Sequence, residues 1–298
     1  MSSGGERIPN MYNWRKGIAQ WRIKDTLYLS VVFTWDLPTA RKIAEASKLK
    51  VVAGGGAVNL MPEYLADVAE IGGELPYRPL DFHNPLATFT SRGCVNRCEF
   101  CAVHRIEGDL IEIEDFPVRP IVCDNNLLAT SITHFDRVID RLKTLPFVDF
   151  NQGLEAGRFE IYHAIRIAEI KHAKVRFSLD SWEDKPEVHR AIDTASKHGL
   201  NDIGVYVLVG FNDTPAEARE KLEWIRSLGI RPNVMRFQPI EGEFAMAKNS
   251  YVLKGWTKKE LDDITRYYSR LRFLEHIPFE KYSYGSTAIA GSLFGEVA

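Results

Sequence analysis

Cysteine is scarce in this chain. There are four in 298 residues, and three of them crowd together as Cys94, Cys98 and Cys101. That distribution does not suit a disulfide framework and points instead to thiols kept reduced for a metal, hence to the cytoplasm. No apolar run reaches the length of a membrane span, so no membrane partner is expected. The opening Met-Ser-Ser-Gly-Gly-Glu-Arg lacks the apolar core of a signal peptide. Charge of one sign is missing too. Lys and Arg number 38 against 40 Asp and Glu, net −2, which gives no general attraction for nucleic acid. Low-complexity segments and short-period repeats are absent, and the eight histidines form no metal-ligand pattern. What remains is an ordinary globular composition, 45% hydrophobic and 26% charged, long enough for one barrel-sized domain with a smaller partner.

The stretch that carries chemistry is 87–108. A β-type run, 86–90, leads into Gly93, which lets the backbone turn sharply before the first thiol. The cysteines follow as C-x3-C-x2-C. Three thiolates at this spacing can hold three irons of a cubane [4Fe–4S] cluster and leave the fourth iron open to a small molecule. Zinc fits less well, because structural zinc takes four ligands and catalytic zinc is more often His-rich.

Around this stretch, strand and helix patterns alternate. Residues 1–26 read as an N-terminal extension without a pattern. A strand over 27–33, a helix over 36–48 with Asp36 as N-cap, a strand over 50–53 ended by Gly54-Gly55-Gly56, and a helix over 62–71 closed by Gly72-Gly73 make a small β-α-β-α unit within 27–80. From 81 to 245 six strands are expected, near 86–90, 119–124, 147–152, 175–180, 203–209 and 233–238. Helices follow the later ones, over 134–145, 158–170, 185–198 and 215–228. This predicts an α/β fold, a partial parallel (β/α)6 barrel. Few residues separate Cys101 from the second strand, so the first barrel helix should be missing or irregular. A C-terminal extension, 246–298, should contain a helix whose Leu261, Ile264, Tyr268, Leu271 and Leu274 share one face. Strand alternation sends Arg176, Ser178 and Asp180 inward from the fourth strand, Gly204, Tyr206 and Gly210 from the fifth, Arg236 and Gln238 from the sixth, and Thr88, Thr90 and Arg92 from the first. The polar lumen reads either as a ligand site or as an ion-pair network of Arg176, Asp180 and Arg236.

Cys94-Val-Asn-Arg-Cys98-Glu-Phe100-Cys101 resembles the cluster motif of the radical S-adenosylmethionine (SAM) superfamily, with Phe100 at its aromatic position. The resemblance implies that the open iron binds SAM, that a reduced cluster cleaves the sulfonium, and that a 5′-deoxyadenosyl radical results. By position it implies SAM contacts from Asp124 and Asn125 at the end of the second strand, from Arg176 and Ser178 to the carboxylate, and from Phe100, Tyr206 and Gly210 near the adenine. It also implies a reducing partner such as a flavodoxin or ferredoxin and a small or medium organic substrate. Cys123 reads either as a small buried hydrophobe or as a hydrogen-atom donor or group acceptor beside the cluster.

The order Val32 to Ala40, Val51 to Ala57 and Met61-Pro62 resembles the later half of the cobalamin-binding domain found before some radical SAM barrels. The cobalt-ligating Asp-x-His-x-x-Gly of that family is absent, so cobalamin is not expected. Two other readings remain: a methylthio- or methyltransferase-like modification of nucleic acid, and an iron–sulfur electron-transfer or sensing protein without radical chemistry. A polar lumen argues against the second, and the absence of a basic C-terminal β-barrel and of further cluster cysteines argues against the first.

Overall fold

The computed structural model describes residues 14, 17–72, 77–270 and 277–282. Its N-terminal part is a four-stranded sheet in the order β1-β2-β3-β4, built from Ile18–Ile23 (β1), Thr26–Val31 (β2), Lys50–Gly54 (β3) and Glu70–Ile71 (β4). The first strand corrects the expectation of a patternless segment up to 26. It pairs antiparallel with β2 through a tight turn at Lys24, whose φ is +49°, and buries Ala19 and Trp21 on alternate positions. The strands β2, β3 and β4 are mutually parallel. Helix α1 (Leu37–Ala46) covers the sheet with Leu37, Ala40 and Ala44; Asp36 stands at its N-cap position without a capping hydrogen bond from its side chain.

The helix expected over 62–71 does not form. Pro62–Tyr64 makes one 3-10 turn, and Glu70–Ile71 instead extends the sheet against Val52 and Ala53. Burial of Leu65 and backbone pairing at the sheet edge outweigh the helical periodicity of this segment. The helix after β3 begins earlier, as α2 (Gly56–Leu60), directly from the glycine run. Gly55 has φ +101°, and a Cβ there would come within 2.6 Å of the Val31 carbonyl oxygen, so the chain can pass over β2 only without a side chain.

The larger part, entered through a short helix, Pro79–His83 (α3), is a six-stranded parallel sheet flanked by helices. Its strands are Ala87–Thr88 (β5), Ile121–Val122 (β8), Val148–Phe150 (β9), Ala173–Leu179 (β10), Asp202–Val209 (β11) and Pro232–Arg236 (β12), and neighbours in space are neighbours in this series. Helices Ile132–Leu142 (α5), Ile161–Ile167 (α6), Lys185–Lys197 (α7) and Pro215–Ser227 (α8) alternate with the strands. Alternation works as expected: Val175, Phe177, Leu179, Val205, Val207 and Val209 are buried with Val188, Ala191, Leu222 and Ile225 of the helices in one core. The helix expected over 158–170 is broken. Ala156–Arg158 is a 3-10 turn, and α6 starts anew at a capping box between Glu160 and His163.

Between Cys101 and β8 there is a single helical turn, Val103–Ile106 (α4), and a strand, Ile111–Glu112 (β7), paired antiparallel with Ser91–Arg92 (β6). This hairpin stands where a long first helix would otherwise lie. At the other end, helix α9 (Lys258–Thr265) buries Leu261 and Ile264 in the main core together with Tyr267 and Tyr268. Leu271 and Leu274 lie outside the described residues. Arg236 does not face a lumen network: it pairs with Asp262 of α9 at 2.9 Å and donates to the carbonyls of Asn249 and Tyr251, while Gln238 bonds Phe244 and Asn249. No helix is long and apolar enough to cross a membrane among the described residues.

Candidate functional site

Cys94, Cys98 and Cys101 line one cavity of about 990 Å³, together with loops that follow the carboxyl ends of β8, β9, β10 and β11. The loop that carries them is held from several sides. Gly93 has φ +73°, and a Cβ there would strike the Asp109 carbonyl. Its N–H donates to Oε2 of Glu107 at 2.9 Å; Glu107 also accepts from Asn125 at 2.7 Å and pairs with Arg92 at 2.7 Å. Asp124, fully buried, accepts from the backbone N–H of Thr90 at 2.6 Å, from the Thr90 hydroxyl and from Ser91 at 3.0 Å. Burial pushes its carboxyl upward while those donors pull it down. Asp124 is thus a clamp on the entry to the cysteine loop and is not among the residues that line its cavity.

The thiols are half-buried, and N–H groups approach those of Cys94 and Cys101. The sulfur of Cys94 accepts from the Asn96 backbone at 3.4 Å and from Nδ2 of Asn126 at 3.7 Å. Burial first, then the neighbouring Cys101, Asp180 and Cys94 charges, raise the Cys98 thiol above its ordinary value. Burial likewise raises Cys101, opposed by the backbone N–H of Val103. Among the described residues no three His, Cys, Asp or Glu side chains converge to hold one metal ion. A single ion needs donors aimed at one point, whereas a cubane takes each thiolate on a separate iron. Three thiols on one cavity wall, with N–H donors toward sulfur, are a donor set that fits the latter.

Of the residues expected at the site, Phe100, Asn125 and Ser178 reach this cavity. Phe100 meets Phe211 edge to face, ring centres 5.6 Å apart. Ser178 donates to Asp180 at 3.1 Å, and burial pushes the Asp180 carboxyl up to about 6. The others are turned elsewhere. Arg176 makes a two-pronged ion pair with the fully buried Asp149, 2.9 and 2.6 Å, so its guanidinium is matched inside the sheet. The Tyr206 hydroxyl donates to the Asn151 carbonyl at 2.7 Å. The Gly210 N–H donates to Asp213 at 2.8 Å. Cys123 is 3% exposed and lines a different cavity; burial pushes its thiol up to about 12, so it is a neutral thiol at neutral pH.

Several site residues were not anticipated from the sequence. Asn126, 3% exposed, donates to Glu155 at 2.6 Å as well as to Cys94, and its Oδ1 is buried without a donor. Glu107, Gln152, Phe211 and Asp213 follow strand ends or the cysteine loop, so the strand-end rule was the signal available for them. The cavity wall is acidic, with Glu155, Asp180, Glu183, Asp184, Glu187 and Glu217 among its residues. Lys221 is the only Lys or Arg lining it among the described residues, and it is matched by Asp213 at 3.0 Å and by the Leu208 carbonyl at 2.7 Å. Comparison with models of protein families finds no match for this chain, and comparison with curated proteins finds none either.

Proposed function

We propose that the chain is a radical SAM enzyme acting on a small or medium organic substrate. The observation that carries this reading is that Cys94, Cys98 and Cys101, in their C-x3-C-x2-C spacing, line a single cavity at the carboxyl ends of a parallel sheet. The sequential strand order supports the finer reading of that sheet as a partial (β/α)6 barrel. When bound, a [4Fe–4S] cluster would supply one low-potential electron and SAM the sulfonium that takes it.

The chain's own residues then have separate tasks. The cysteine loop supplies three thiolates, and the amides of Asn96 and Asn126 donate toward the sulfur of Cys94. The unmatched Oδ1 of Asn126 suits an ammonium group, which would satisfy a buried acceptor. Phe100 and Phe211 offer an apolar wall to a flat ring. The acidic rim favours an overall cationic cofactor and disfavours a polyphosphate, which weighs against the nucleic-acid alternative. A cavity of this size has no task in a simple electron carrier. An external one-electron donor such as a flavodoxin or ferredoxin is required.

The test is anaerobic reconstitution followed by iron and sulfide analysis of the wild type and the triple alanine variant at Cys94, Cys98 and Cys101. We expect about four irons per chain in the first and none in the second. Dithionite-reduced wild type with SAM should then release 5′-deoxyadenosine. An intact cluster with no 5′-deoxyadenosine under any reductant would favour the electron carrier.

A further inference from the structure

A second cavity, of about 950 Å³, lies between the N-terminal sheet and the strand ends of the larger one. On one side it is lined by Val32, Phe33, Gly55 and Gly56, which follow β2 and β3. On the other it is lined by Thr88, Cys123, Asn151 and Gln152 at the ends of β5, β8 and β9. Its volume is that of a small-molecule site.

Three independent features say what it would hold. Val32 and Phe33, each 43% exposed, line it with apolar surface, Phe33 with one ring face stacked on Trp35 at 4.5 Å. Its charged groups are already matched, Arg92 by Glu107 and Arg119 by Asp81, and the exposed Arg78 donates to the Asp115 carbonyl at 3.0 Å. Asn125 and Gln152 line both this cavity and the cysteine cavity, so the two share a wall. Apolar surface with no unmatched charge in its depth suits an uncharged molecule, since a buried charge would lack a partner. Hydrogen-bonding residues lie at the shared wall, where the exposed Gln152 lines both chambers.

We propose that this cavity binds a largely apolar, uncharged organic molecule whose polar end points to Asn125 and Gln152. That this molecule is the substrate rests on the radical SAM reading; that the site exists does not. The charge contrast between the chambers supports the division of labour. The acidic cavity suits a cation, and the apolar one a neutral body held next to it.

The test uses the full chain and the neutral fluorescent probe N-phenyl-1-naphthylamine. One saturable site is expected on the wild type. Val32→Trp, which fills the cavity from a half-exposed position, should weaken binding at least tenfold with an unchanged thermal midpoint. Phe33→Ala serves as a second variant and should weaken it severalfold. The anionic analogue 1-anilinonaphthalene-8-sulfonate should bind no more tightly than the neutral probe. Unaltered probe affinity in both variants, or a clear preference for the anion, would overturn the proposal. So would a wild type that shows no saturable binding of the neutral probe. Probe binding needs neither iron nor SAM, so loss of the cluster chemistry would leave this result standing.

Discussion

Asn126 donates one side-chain amide both to the sulfur of Cys94, at 3.7 Å, and to Oε2 of Glu155, at 2.6 Å. The amide therefore ties the first thiol of the cysteine loop to the segment after β9, from the end of the strand between them. Hydrogen bonds to a thiolate stabilise the more negative state of a cluster and raise its reduction potential. Asn126→Leu keeps the volume and removes the donor. We expect the reconstituted variant to keep its iron and to show a lower reduction potential by redox titration. An unchanged potential would mean that the amide serves Glu155 alone.

Asp149 is fully buried, and Arg176 supplies two hydrogen bonds to it. Replacing Arg176 by Met removes the guanidinium from a buried carboxylate, which should cost about 3–5 kcal/mol in urea unfolding. The double replacement Arg176→Met with Asp149→Leu should recover most of that loss. Failure of the second change to recover stability would show that these two side chains matter through contacts beyond their own pair.

Asp180 gives a pH-dependent stability of definite sign. Burial raises its carboxyl from 3.8 to about 6, so the folded apoprotein holds this proton more tightly than the unfolded chain. Its contribution to stability is complete below about pH 4 and is lost as pH rises through 6. Asp180→Asn should therefore be more stable than wild type at pH 8, by roughly 1–3 kcal/mol. Near pH 4 the difference should vanish. Unfolding curves at pH 4, 6 and 8 check this, and a constant difference across that range would show that folding does not shift the Asp180 carboxyl.

Phe100 touches Phe211 and lines the cysteine cavity, but contributes no metal ligand. Phe100→Ala should weaken SAM binding by roughly 1–3 kcal/mol, the span for losing an aromatic contact, and leave iron content intact. Iron content and SAM affinity are read together. Loss of both would show that the ring is a core residue of the loop rather than a wall for the cofactor.

Local pattern by itself determined much of this molecule. The alternation through 173–179 and 202–209 told which side chains meet the helices, because a strand's two faces are set by its pleat. Thr214 and Glu217 form a capping box at the start of α8, and Thr257 and Glu260 form one at the start of α9, from residues only three apart. The cysteine loop was legible for the same reason, since its spacing lies in one short stretch. What tertiary structure decided are partnerships between residues far apart in the chain. Strand alternation pointed Arg176 toward a site and the family resemblance put Asp124 at one by position, yet Asp149 claims the first and Thr90 with Ser91 the second. A buried charge takes the best-matched partner that packing brings to it, and sequence spacing carries no record of that choice. The helix expected over 62–71 failed on the same ground, because the edge of β3 offered backbone pairs to Glu70 and Ile71. The second cavity belongs wholly to this level. Val32, Cys123 and Gln152 meet around it only because two sheets, each with its own core, present their strand ends to one another.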